Sequence, residues 1–99
     1  MRDVYSAVAD PTRRELLRML TEAGELPLHE LMAPFDMGRT AISKHLAILK
    51  EAGLVSERKV GRETRYRATP EPLQEIQEWV QQFWEVRIAR LRNILENEK

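Results

Sequence analysis

Between Leu73 and Lys99 the chain holds neither glycine nor proline, while large apolar residues recur at helical spacing: Leu73, Ile76, Val80, Phe83 with Trp84, Ile88, Leu91, and Ile94 with Leu95. Thr69-Pro70 offers a start and Pro72 is tolerated in a first turn, so the spacing predicts one helix over 71–98. At 1.5 Å per residue such a helix spans about 42 Å. A compact domain of this length has a radius of gyration of only ~13 Å. The helix is therefore longer than its own domain can cover. An uncovered stripe carrying two large aromatics, with Trp79 beside them, would be an exposed apolar patch. The stripe predicts a partner helix, supplied by a second copy of the chain. The 99 residues suffice for one core and not two, so residues 1–99 form a single domain.

The remaining elements are short and well punctuated. Val4, Tyr5 and Val8 suggest a first helix over about 3–9. Asp10-Pro11 is an N-cap followed by proline at the first helical position, and Leu16, Leu17, Leu20 and Ala23 repeat behind it until Gly24. Pro27 opens a short helix with Leu28, Leu31 and Met32 on one face, and Pro34 stops it. Phe35 anchors the following turn, and Asp36-Met37-Gly38 leads into a helix over 39–52. Its apolar set is Ile42, Leu46 and Leu49, and Gly53 ends it. Two strand-like segments, 54–60 and 64–68, then flank a turn at Val60-Gly61-Arg62-Glu63. Tyr66 and Ala68 share one strand face, Arg65 and Arg67 the other.

Net charge is zero, but it is distributed in blocks. Residues 39–67 carry Arg39, Lys44, Lys50, Arg58, Lys59, Arg62, Arg65 and Arg67 against Glu51, Glu57 and Glu63, a net +5 flanked by acidic segments. A local basic surface acts on a polyanion over about a Debye length, ~8 Å at physiological salt. That block coincides with the order short helix, turn, helix, hairpin. The helix-turn-helix falls at 27–52 and the hairpin wing at 54–68. In such a motif the second helix enters the major groove with its N-terminal residues on the bases. With Ile42, Leu46 and Leu49 inward, Arg39, Thr40, Ser43 and Lys44 fall on the outward side, and their donors suit base edges and phosphates. Arg62, Arg65 and Arg67 on the wing, with Lys50 on the helix, are candidate phosphate contacts, and His45 is either a partly buried packing residue or a further phosphate contact. The expected fold is mainly α (α+β), a winged helix-turn-helix with a two-stranded hairpin and a long C-terminal dimerisation helix. The competing reading is a winged helix used for protein–protein contact, which would bind no DNA in a salt-sensitive manner.

Several stretches together are similar to a known family. They are Ala9-Asp10-Pro11-Thr12-Arg13-Arg14, Glu30-Leu31, Phe35-Asp36-Met37, the run from Ile42-Ser43-Lys44-His45-Leu46 to Gly53-Leu54-Val55, Gly61-Arg62-Glu63, and Tyr66. These resemble the ArsR/SmtB family of bacterial winged-helix repressors over roughly residues 3–95. Phe35-Asp36-Met37 and Phe83-Trp84-Glu85 with Arg87 and Leu91 look like its cysteine-free branch. The resemblance implies repression from a pseudo-palindromic DNA operator by a homodimer joined through its first and last helices. That places Val4, Tyr5, Val8, Val80, Phe83, Trp84, Ile88, Leu91 and Leu95 at the interface. It maps DNA contact onto Arg39, Thr40, Ser43 and Lys44. Gly38 departs from the family, which often has Ser or Thr there.

Metal sensing, common in that family, is not expected here. Cysteine is absent, the only histidines are His29 and His45, and residues 68–99 hold none. Two histidines separated by a core helix do not make the three or four converging ligands a transition metal needs. No cofactor is expected, and no phosphate loop or nucleophile motif suggests an enzyme. No apolar run approaches a membrane span, and Met1-Arg2-Asp3-Val4 does not open a signal peptide, so the expected compartment is the bacterial cytoplasm, at the nucleoid through DNA. The operator, the target genes and the inducer, whether small molecule, protein antagonist or none, are left open.

Overall fold

The computed structural model describes residues 3–97. Its elements are α1 (Val4–Ala7), α2 (Pro11–Ala23), β1 (Glu25–Pro27), α3 (Leu28–Met32), α4 (Arg39–Glu51), β2 (Val55–Val60), β3 (Glu63–Ala68) and α5 (Gln74–Asn97), the last preceded by a 3-10 turn at Glu71–Leu73. The first helix is one turn, shorter than the predicted 3–9; the Asp3 carboxylate caps it, accepting from Ser6 N–H at 2.8 Å. Asp10 caps α2 in the same way through Arg13 N–H, with Pro11 at the first helical position.

The core is the inward faces of these helices closed by the sheet. Leu16, Leu20, Leu31, Ile42, Leu46, Leu49 and Leu54 are fully buried, and Phe35 and Met37 pack against them from the connection between α3 and α4. That connection runs over residues 33–38, longer than the predicted three-residue turn, because Ala33 and Pro34 have already left the helix. At the other end of α4, Gly53 N–H donates to Lys50 O and Leu54 N–H to Leu49 O, both at 3.0 Å. This is a Schellman end with Gly53 at φ +77°, and it folds buried Leu54 back beside Leu49.

The sheet has three strands, not two, in the order β1-β3-β2, all antiparallel. The third strand escapes sequence reading because it is three residues long, ends in Pro27 and pairs with residues about forty positions away. Proline is tolerated there because β1 is an edge. The hairpin closes through Gly61-Arg62, since Val60 pairs with Glu63. Positive φ at Gly61 alone (+62°) is the pattern of a type II′ turn, whose twist suits the strands.

Helix α5 leaves the globule. Leu73 and Ile76 pack against the core, while Val80, Phe83, Trp84, Ile88, Leu91 and Leu95 are exposed. The molecule measures 70 × 25 × 23 Å with a radius of gyration of 18.6 Å, well above the ~13 Å of a compact chain of this length.

Candidate nucleic-acid interface

Helix α4 is divided by its own periodicity. With Ile42, Leu46 and Leu49 buried, Arg39, Thr40 and Lys44 stand exposed at its N-terminal end and Ser43 is half-buried beside them. Gly38 makes no side-chain cap, and a Cβ there would meet nothing within 4 Å. The first N–H groups of α4 are therefore offered outward, the arrangement that receives phosphate oxygens. The structure brings Arg39, Thr40, Ser43 and Lys44 onto one outward surface.

Between α4 and the wing lies an open groove of about 430 Å³ lined by Ser43, Leu46, Ala47, Lys50, Glu51, Glu57 and Tyr66. Tyr66 is buried in its wall. Burial, and then the neighbouring Glu57 carboxylate, push the phenol pKa up. Lys50 Nζ donates to Glu57 Oε1 at 2.6 Å, and chiefly for that reason the Glu57 carboxyl is held below the usual range.

The eight cations of the basic block are not equally available. Lys50 is engaged by Glu57. Arg58 donates to both oxygens of Glu25 at 2.7 and 3.0 Å, and Arg65 to Glu25 at 3.3 Å and Glu63 at 2.9 Å. Arg39, Lys44, Lys59, Arg62 and Arg67 are exposed and have no ion pair among the described residues. Arg62 occupies the hairpin tip, and Arg67 the outer face near the wing's base. Sequence reading did not single out Glu25, which holds two wing arginines, or Lys59.

His45 is half-buried and packed against α2, as the packing alternative expected. Its side chain is 22% exposed, with Nδ1 3.2 Å from Arg13 Nη1 and 3.8 Å from Asp10 Oδ2. Arg13 Nε in turn donates to Ala7 O at 2.7 Å and Nη2 to Ser6 O at 3.3 Å. This chain of bonds ties α1 to the reading helix. His29 is exposed on α3, 3.9 Å from Glu63. The two histidines are not brought together, and among the described residues no cluster of three His, Asp or Glu side chains could hold a metal.

At the proposed interface, Val4 is buried, Val8 is half-buried and Tyr5 lies against α5, its hydroxyl donating to Glu75 O at 3.4 Å. The Tyr5 ring meets Trp79 edge-on at 6.0 Å, and Trp79 meets Phe83 at 4.9 Å. Arg87 covers the Trp84 ring at 5.9 Å. No described helix is long and apolar enough to cross a membrane.

A reading helix with a free cationic N-terminal face, flanked by a hairpin wing, defines a winged helix-turn-helix regulator. Residues 10–57 match the family model "Bacterial regulatory protein, arsR family". The chain is 32% identical over 83 residues to the transcriptional repressor SdpR of Bacillus subtilis, covering 84% of this chain and 91% of that one. It is 39% identical over 67 residues to the arsenical resistance operon repressor of Escherichia coli, a match that covers 68% of this chain but only 57% of that repressor's length. Its structure superposes with a TM-score of 0.77 and 42% identity on that of a "possible transcriptional regulator for arsenical resistance", over 92% of this chain and 94% of that one. The chain belongs to the ArsR family of bacterial regulatory proteins. It is a DNA-binding transcriptional repressor by class, and that class is not enzymatic.

Proposed function

We propose that the protein represses transcription as a homodimer, from the cytoplasm, on a pseudo-palindromic operator. The observation that carries this is the uncovered apolar face of α5, which leaves the core after Ile76 and exposes Val80, Phe83, Trp84, Ile88, Leu91 and Leu95. Two such faces, with Tyr5 and Val8 of α1 alongside, cover one another in a two-fold pair. The pair sets two α4 helices on one side of a duplex, so half-sites fall about one turn apart, ~10 bp or a multiple. Within each half-site, Arg39 and Ser43 face base edges, Thr40 and Lys44 bases or phosphates, and Arg62 the backbone beside the groove.

Selection from a random duplex pool with the purified protein tests this. The expected product is an inverted repeat. Arg39→Ala and Ser43→Ala should each cost about 1–3 kcal/mol on the selected site and relax preference at one position. Enrichment of a single unrepeated half-site would defeat the dimeric operator. Failure to retain any duplex at low salt would favour a protein–protein module instead.

A further inference from the structure

The register of the wing decides which of its cations can face DNA. Residues paired across antiparallel strands share a face, and faces alternate along each strand. Glu57 pairs with Tyr66 and Lys59 with Thr64, so Lys59 shares the face of Tyr66 and Glu57. That face lines the groove against α4, as Tyr66 and Glu57 both border it with Ser43 and Ala47. A second observation agrees: the Lys59 charge helps hold the Glu57 carboxyl down, behind the larger effect of Lys50.

Arg58 and Arg65 pair with each other on the opposite face. Two like charges directly across a ladder repel, and the Glu25 carboxylate from β1 lies between them, bonded to both. Their guanidiniums are thus turned away from the reading helix and held by the edge strand. On the groove side Lys50 is held by Glu57, whereas Lys59 is exposed and has no ion pair among the described residues.

We propose that the wing meets the DNA backbone through Lys59 on its groove-side face together with Arg62 at its tip, while Arg58 and Arg65 form an internal clamp with Glu25 and touch no phosphate. The assignment rests on the DNA-binding reading above. It predicts a division among cations close in sequence that net charge cannot distinguish.

The test is the slope of log K against log[salt] for the intact protein on a mixed-sequence duplex, because that slope falls by about one for each phosphate the protein no longer neutralises. Lys59→Ala removes one contact from each of the two wings and should lower it by about two for the dimer; Arg65→Ala should leave it unchanged, even if the affinity shifts. Glu25→Gln serves where Arg65→Ala folds poorly. It releases Arg58 and leaves Arg65 to Glu63 alone, and the slope should again stay constant because their face is turned from DNA. A constant slope for Lys59→Ala, a fall for Arg65→Ala equal to that for Lys59→Ala, or a steeper slope for Glu25→Gln would each overturn the assignment while the unaltered protein still binds. Loss of duplex binding by the unaltered protein would overturn the DNA-binding reading itself, and the assignment with it.

Discussion

Glu25 illustrates how much a single side chain can organise. It accepts from Arg58 and Arg65, and its pKa is lowered from 4.5 to about 2, first by the hydrogen bonds from Arg58. A carboxyl depressed in the folded state stays ionised there after the unfolded chain has taken up its proton. Its contribution to stability is therefore complete above about pH 4.5 and is lost as the pH falls towards 2. Thermal melts of the unaltered protein and Glu25→Gln should differ near neutral pH and converge across that window. A constant gap between the two curves down to about pH 2 would show that the clamp carries no pH-dependent stability. The clamp was not legible in the sequence. Arg58 and Arg65 could be seen as cations on strands, but their common partner lies 33 and 40 residues away on a strand with no pattern of its own.

At the scale of elements, punctuation and periodicity carried most of the information. Asp10-Pro11, the Ile42, Leu46, Leu49 spacing and the Gly61 turn each act through local sterics or hydrogen bonding, and the helices and hairpin form where those signals stand. Gly53 is the sharpest such case. Its positive φ lets α4 end with two backbone bonds satisfied and with Leu54 buried. Gly53→Ala puts a Cβ in the left-handed region and should destabilise the protein by about 1–2 kcal/mol, measured by urea unfolding. The groove next to α4 should be affected only indirectly, since the added methyl meets nothing closer than Pro72 Cγ at 3.9 Å. A stability within a few tenths of a kcal/mol of the unaltered protein would mean that the helix end relaxes into another cap.

For the whole molecule, the decisive feature is the separation of two tasks. The globular part buries its core with residues up to Ile76, and the rest of α5 contributes almost nothing to that core. A substitution late in α5 can therefore test assembly without testing the fold. Trp84, 53% exposed, contacts Arg87 on its own helix. Trp84→Glu should leave helical content unchanged while sedimentation equilibrium shifts from a dimer to the 11.6 kDa monomer, with operator binding lost in parallel. An unaltered protein that sediments as an 11.6 kDa monomer at micromolar concentration would refute the dimer. If Trp84→Glu remained dimeric, the α5 face would not be the interface.

The sequence by itself determined the fold class, the inward face of α4, the hairpin turn and the existence of a long unbroken α5, because each follows from local propensity or from a period repeated over neighbouring residues. The helix expected over 71–98 begins only at Gln74, after a 3-10 turn at Glu71–Leu73, and residue 98 lies outside the described residues. The sequence also determined that Tyr66 and Ala68 lie on one strand face and Arg65 and Arg67 on the other. Only the tertiary structure decided what those faces look upon. The side of the wing turned to α4, the third strand at Glu25–Pro27, the pairing of Glu25 with two arginines and the withdrawal of His45 against Arg13 all depend on residues well separated along the chain. Such contacts follow from how the elements pack around the buried leucines, and no local pattern of the chain encodes that packing.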